Sequence, residues 1–327
     1  MTPDGANLDA ARPLPQIEQR LGVDGRFGTV IGIVLLNALL NIVTLGFYRF
    51  WGRTRLRHYF WSRTSVLGDY FEYTGTGGEL LRGFFRALGL LVPFGLLVGG
   101  AYLAAAFLLP PLSPAVGVVV YLLSTVLGHA ARYSARRYRL SRSRWRGIRG
   151  TQVGSPWAYA RLAAWTSVLV VLTLGLYLPY RTMRLTAYEW NHTFFGNRAV
   201  QFDGVGRDLF RRWLLTWFLL LPTLGLAWFW YQARSQRYLA EHTRFDGLRF
   251  SFPVTGGQLW RRASGDFLVI ILTLGLGSPI VVLRRLHFFA RHLEISGTAD
   301  FAAIAQGSAP APATGEGLLD LFDLGDL

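Results

Sequence analysis

Four arginines stand at matched places along the chain. Arg55, Arg184, Arg234 and Arg284 each follow a threonine by eleven residues, the threonines being Thr44, Thr173, Thr223 and Thr273. A guanidinium presents a planar fork of donors that suits phosphate and carboxylate oxygens. The chemistry this pattern offers is the holding of an anion, either a lipid phosphate or an anionic solute. The plainer reading is that the four side chains snorkel to a membrane interface while their stems pack on the aromatic residue four positions on. His192, His242 and His292 are spaced by fifty and offer a second chemistry, imidazoles gathered on a metal. The two earlier copies carry Arg63 and Arg142 at that place. A basic residue at a helix C-terminus needs only the helix dipole to account for it, so no metal is expected.

The remaining candidates are weaker. Gly-rich turns at 74–78 and 255–257 precede helices and could cradle phosphate. No lysine follows them, and neither the P-loop nor the dinucleotide fingerprint is matched, so an N-capping turn is the simpler reading. Asp208 and Asp266 open apolar runs, where a proton relay is conceivable but a dipole partner is ordinary. No nucleophile, base and acid stand at a recognisable spacing. No enzymatic activity and no cofactor are expected.

The elements that position these residues come from an internal repeat of about fifty residues. Thr-Leu-Gly begins at Thr44, Thr173, Thr223 and Thr273, and a degenerate copy is anchored at Leu123. Fifteen residues after each anchor stand Tyr59, Tyr138, Tyr188, Tyr238 and Phe288. Each unit reads as an apolar helix, a break at Thr-Leu-Gly, an amphipathic helix and a short β-hairpin. Asp246-Gly247 is the pair a two-residue hairpin turn favours, with Gly68-Asp69 and Gly196-Asn197 as its counterparts. The first gap between anchors is 29 residues longer than the rest, and it holds an extra apolar segment and the Pro-rich turn from Pro110 to Pro114.

Composition places this repeat in a bilayer. The chain is 51% hydrophobic, and its apolar runs near 29–51, 87–109, 114–127, 162–180, 213–231 and 266–283 approach the length of a crossing. Trp and Tyr crowd their ends, as interfacial belts do. All 34 basic residues are Arg, cysteine is absent, and the net charge is +15. Disulfides and thiolate metal sites are thereby excluded. The arginines lie beside apolar runs and form no separate basic domain, so the expected partner is an anionic phospholipid surface and no nucleic acid.

The same arginines create a topological conflict. Residues 52–83 hold five, 128–161 nine, and 181–212 and 231–262 six each. If every run crossed once, alternate clusters would be translocated against the positive-inside rule. We favour hairpins that bend at Thr-Leu-Gly and return to the same side for the units at 173, 223 and 273. Segment 87–127 reads as an ordinary two-helix crossing with both ends cytoplasmic. Full crossings are the alternative.

The stretch from Asn41 to Trp51 around Thr44-Leu45-Gly46, the run Arg53-Thr54-Arg55-Leu56-Arg57-His58-Tyr59-Phe60, and Phe71-Glu72-Tyr73-Thr74-Gly75 resemble the YjgN-like bacterial inner-membrane proteins, a domain-of-unknown-function family. The likeness covers roughly 21–305 and implies a multi-pass inner-membrane location, with no activity, cofactor or catalytic residue attached. The expected organisation is a polar N-terminal tail over 1–24, a repeated membrane domain over 25–305, and a flexible linker with an acidic amphipathic tail over 306–327. Leu318, Leu319, Leu321 and Phe322 give that tail an apolar side for a protein partner. The expected fold class is mainly α, and the expected function is that of a non-enzymatic envelope protein engaging anionic lipid or a partner, with a small-solute transporter or channel as the alternative.

Overall fold

The computed structural model describes residues 17–307. The chain enters on β1 (Ile17–Arg20) and β2 (Gly22–Val23). It continues through α1 (Phe27–Val43), α2 (Arg49–Ser62) and the hairpin β3 (Thr64–Val66) and β4 (Asp69–Tyr73). The second unit is α3 (Gly77–Leu108), α4 (Ser113–Arg142), β5 (Ser143–Trp145) and β6 (Ile148–Gln152). The third is α5 (Pro156–Leu172), α6 (Leu178–Asn191), β7 (Thr193–Phe195) and β8 (Arg198–Phe202). The fourth is α7 (Gly206–Leu219), α8 (Ala227–Glu241), β9 (Thr243–Phe245) and β10 (Leu248–Ser251). The fifth is α9 (Gly256–Leu272), α10 (Ser278–His292) and β11 (Glu294–Gly297). The protein is mostly helical.

The break at Thr-Leu-Gly has one geometry wherever it occurs. Thr173 Oγ1 donates to Leu169 O at 2.7 Å and accepts from Tyr177 N at 3.0 Å. One hydroxyl thus serves an orphan carbonyl of the first helix and an orphan N–H at the start of the second. Thr44, Thr223 and Thr273 make the same pair of bonds. The glycine N–H closes back six-to-one, as in Gly175 N to Val170 O at 2.7 Å. Both residues after the Thr lie at positive φ, including Leu45, Leu174, Leu224 and Leu274 at 49–50°. That conformation costs a side chain-bearing residue on the order of 1–2 kcal/mol.

The second unit departs from this plan. Leu123, the degenerate anchor, lies inside the unbroken helix α4. A Pro110–Leu112 turn joins α3 to α4 instead, and α3 alone spans 32 residues, about 48 Å.

The hairpins also differ from the isolated ribbons the sequence suggests. Each is short, and two-stranded ribbons of that size are not stable alone. They pair side by side: β4 with β5, β6 with β7, β8 with β9 and β10 with β11, all antiparallel. Among the described residues the fifth unit has no second strand of its own after β11. The N-terminal strand takes that place, β1 pairing with β11 and β2 with β3 across a one-residue interruption at Leu21. The hydrogen-bonded order therefore returns to its start and closes a ring of ten strand positions. The boundary at residue 24 corrects accordingly, because Ile17–Val23 belongs to the ring and not to a polar tail. A closed sheet has no edge left to template aggregation.

The turns match this role. Leu67–Gly68, Arg146–Gly147 and Asp246–Gly247 carry positive φ at both central residues, and Gly196 carries it at the first of its pair. These are the two turn families whose twist suits hairpins. The first turn is centred one residue earlier than the expected Gly68-Asp69, since Val66 pairs with Asp69.

Helices neighbour one another in chain order, and α10 packs on α1, so a ring of helices sits on the ring of strands. In four of the five units the foot of the hairpin is tied by a tyrosine hydroxyl at the fifteenth position. Tyr59 OH accepts from Arg26 N at 2.8 Å, Tyr188 OH from Ser155 N at 3.1 Å, and Tyr238 OH from Val205 N at 2.9 Å. The Tyr59 and Tyr188 hydroxyls also donate back to the same residue's carbonyl, whereas the proton of Tyr238 OH goes to Asp208 Oδ2. Arg26, Ser155 and Val205 are the N-cap residues of the first helix in the same unit. At the ring end of α8, burial and the hydrogen bond to Asp208 push the Tyr238 hydroxyl up to about 12, so it stays a donor at neutral pH. In the second unit Tyr138 OH donates to Glu79, which forms a capping box with Thr76. Phe288 has no hydroxyl, and there the Thr255–Gln258 capping box acts alone.

Removing one such hydroxyl, as in Tyr188→Phe, is expected to cost about 1 kcal/mol of unfolding free energy in denaturant titrations. Deleting residues 17–23 should open the strand ring and cost far more, seen as a loss of cooperative unfolding. An unchanged transition in the deletion would show that the ring does not depend on its closing strand.

Candidate functional site

The four matched arginines lie on α2, α6, α8 and α10, one per unit, so the ring spaces them apart and does not gather them. Arg55 and Arg184 are exposed. Their guanidiniums stand 5.9 Å from the Tyr48 ring and 5.8 Å from the Tyr177 ring. The aromatic partner is thus two turns back toward the helix break, and not the tyrosine four positions on, which is occupied in tying the hairpin foot. Arg234 has a buried Nε without an acceptor among the described residues. Arg284 is engaged differently again, donating from Nε to Asp266 Oδ1 at 2.9 Å.

Asp266 is the most constrained carboxylate on these helices. It is 6% exposed in α9 and faces three guanidiniums, with Arg262 at 3.8 Å and Arg285 at 3.9 Å beside Arg284. One carboxylate among three cations leaves local positive charge unbalanced. Asp266 opens no helix, so the dipole role expected from sequence does not apply to it. Asp208 does sit in the first turn of α7 and accepts from Tyr238 OH at 2.7 Å.

Seven residues before each Thr-Leu-Gly, the equivalents of Asp266 are Asn37, Thr166 and Thr216, and all three are buried. Asn37 Nδ2 donates to Gly52 O at 3.3 Å, across to its partner helix. Thr166 and Thr216 bond back to their own helix at Leu162 O and Arg212 O. Matching by residue identity hides this position, because it conserves burial and polarity across units rather than one residue type.

The histidines do not converge. His192, His242 and His292 each end their own helix, the ring Nδ1 lying 2.7–2.9 Å from the carbonyl four residues back. Each packs on the aromatic residue at the fifteenth position of its unit, with centroids 3.8–4.4 Å apart. Among the described residues no group of His, Asp and Glu could hold a metal ion. The Gly-rich turns are N-caps at Thr76 and Thr255. Gly77 and Gly256 allow close approach, since a Cβ there would meet the Trp51 and Trp230 backbones at 2.9 Å. The acidic tail with Leu318, Leu319, Leu321 and Phe322 lies outside the described residues.

Two surfaces complete the picture. The outward positions of the strand ring carry Arg144, Arg146, Arg198, Arg244 and Arg249. Away from the ring, α3 and α4 are long and apolar enough to cross a membrane, and their most apolar stretches are not buried by the protein. A family model described as a bacterial protein of unknown function, DUF898, matches residues 18–227 and 217–321. The chain belongs to that family. No curated protein and no solved structure matches. The DUF898 match begins at residue 18, inside the strand that closes the ring.

Asp266→Ala removes the only carboxylate among three guanidiniums. It is expected to destabilise the protein by about 3 kcal/mol, with Asp266→Asn losing less because it keeps an acceptor. Thermal and denaturant unfolding of both variants check this, and equal stability of Asp266→Ala and the parent would refute it.

Proposed function

We propose that this DUF898 protein is a non-enzymatic, multi-pass protein of the bacterial inner membrane that holds an arginine-rich strand ring on the cytoplasmic side and engages anionic phospholipid there. The observation that carries this reading is the direction of the helical hairpins. Every helix pair begins and ends on the strand ring, so the arginines of the strand hairpins and of the helix feet between units lie together at one end. The charge conflict posed by alternate crossings then disappears, because no cluster need be translocated. The α3–α4 pair, with both ends on the same ring, is the candidate for a full two-helix crossing. The matched arginines Arg55, Arg184, Arg234 and Arg284 are proposed to face lipid phosphate, with Arg284 sharing itself with Asp266. The acidic tail is proposed as a docking segment for a protein partner.

Transport of a small solute is the second reading. It calls for a polar, water-filled path where the units meet. The cavity at the centre of the strand ring has walls chiefly of Phe, Trp, Leu, Val and Ile, with Gln236 and Thr243 as its polar side chains, which favours the first reading.

The chain lacks cysteine, so single replacements at Asp69, Asn197 and Asp246 can be tagged by an impermeant thiol reagent in intact cells. Protection of all three, with labelling after lysis, is expected. Labelling of one or two in intact cells would restore alternating crossings. Replacing the four matched arginines by Gln should weaken binding to anionic liposomes more than replacing Arg144, Arg198, Arg244 and Arg249. Equal losses would remove any special role for the matched set.

A further inference from the structure

The strand ring is hollow. Along each strand the side chains alternate: Phe71, Trp145, Phe195, Phe245, Leu248 and Phe250 point inward, while the arginines between them point out. Eight-stranded barrels are just filled by their own side chains, and lumen width grows with strand number. Ten strand positions leave a cavity of about 650 Å³. Its inner end is formed by the feet of α6, α8 and α10, through Trp190, Gln236, Leu239, Ala240 and Phe289. That volume lies within the range of sites for small organic ligands, and stable cores do not leave apolar space of this size unpacked.

Two polar side chains, Gln236 and Thr243, interrupt the apolar wall, and the Thr243 hydroxyl already donates to Leu239 O. Gln236 lines the cavity, and its Oε1 is buried with no hydrogen-bond partner among the described residues. A buried acceptor without a donor is unfavourable, and a ligand with an O–H would satisfy it. The outer mouth is covered by residues 298–307, which leave β11 and run across the hairpin turns. Ala305 N donates to Asn197 Oδ1 at 3.3 Å, and Gln306 Oε1 accepts from Arg149 N at 2.9 Å. From this strap Phe301 turns inward onto Trp145, with ring centroids 5.2 Å apart. Ala299 and Ile304 of the strap are buried.

We propose that the strand ring is a binding site for one single-chain lipid, a protonated fatty acid or a long-chain alcohol. The hydrocarbon chain fills the lumen, the terminal O–H donates to Gln236 Oε1, and the strap 298–307 is the cover it passes on entry. Hydrocarbon is the only chemistry that gains from walls of this kind. A single chain suits a closed lumen better than the paired chains of a phospholipid. The site stands apart from the membrane topology, since its walls are strands of the closed ring, and it can be tested whichever way the hairpins lie.

The test uses the full chain in nanodiscs of defined two-chain phospholipid, with a dansyl-labelled medium-chain fatty acid as probe. Saturable binding at one probe per chain is expected, displaced by unlabelled palmitic acid and by a long-chain alcohol. Ala240→Trp, which fills the lumen, should weaken binding at least tenfold, and Gln236→Leu about fivefold. Arg249→Ala, on the outer face of the same ring, should bind like the parent. Val200→Phe fills the lumen from a strand and serves if Ala240→Trp does not fold, as judged by circular dichroism. Mass spectrometry of solvent extracts from protein purified out of cells should show a single-chain lipid above the level in empty nanodiscs. Absence of saturable binding in the parent, or unchanged binding in a folded lumen-filling variant, overturns the proposal.

Discussion

The tie at the foot of the helical hairpins, made by a tyrosine hydroxyl in four of the five units, is the interaction on which the rest of the architecture depends. A helix break alone does not decide where the second helix goes. Tyr59, Tyr188 and Tyr238 decide it by bonding the N-cap residue where their own hairpin began. Each such bond contributes only about 1 kcal/mol net. Its consequence is geometric: start and end of every pair meet at one level, and the short strands that follow are delivered side by side. Strands of three to five residues, too short to stand alone, then complete each other around a circle.

Closure explains why the first strand comes before the first helix. A chain that simply repeated helix, helix and hairpin would leave two strand edges facing each other across a seam. Here the fifth hairpin is assembled from the two ends of the domain, β11 from one and β1 with β2 from the other. The Arg20–Glu294 bridge at 3.0 Å lies on this seam. Both of its side chains are largely exposed, so the ladder hydrogen bonds hold the seam and the ion pair adds little. Freed from a second strand, the chain after Gly297 becomes available to cover the mouth of the ring.

Local features were legible in the sequence. The Thr-Leu-Gly breaks, the helix pairs and the Asp246-Gly247 turn all follow from short-range chemistry, and the structure places each of them where the residues indicate. Long-range pairing was not legible. The segment Ile17–Val23 carries no turn signal or repeated tripeptide, and its partners lie at the other end of the chain and past the first helix pair. The foot ties were half visible: the tyrosines recur, but they bind backbone atoms, which leave no residue signature. At the candidate site the arginines were legible as a set and their surroundings were not. Tyr48, Tyr177 and Asp266 distinguish them only once the helices are packed.

The tips of the hairpins carry an argument about their surroundings. Leu45, Leu174, Leu224 and Leu274 occupy left-handed backbone where glycine or asparagine is favoured. They are 90%, 76%, 93% and 94% exposed, so no packing within the protein repays that strain. In water a large apolar residue there would lose on both counts. In hydrocarbon the leucine side chain is solvated, and the polar backbone around it becomes the difficulty, since lipid offers no donors or acceptors. The protein meets that difficulty from within. The Thr hydroxyl serves both helix ends, and Trp213 and Trp217 donate their indole N–H groups to Gly175 O and Leu174 O at 2.9 Å. Leucine at the tip, threonine bridging the break and tryptophan over the carbonyls fit together if the tips lie in a bilayer, with the arginine-rich ring left at its surface.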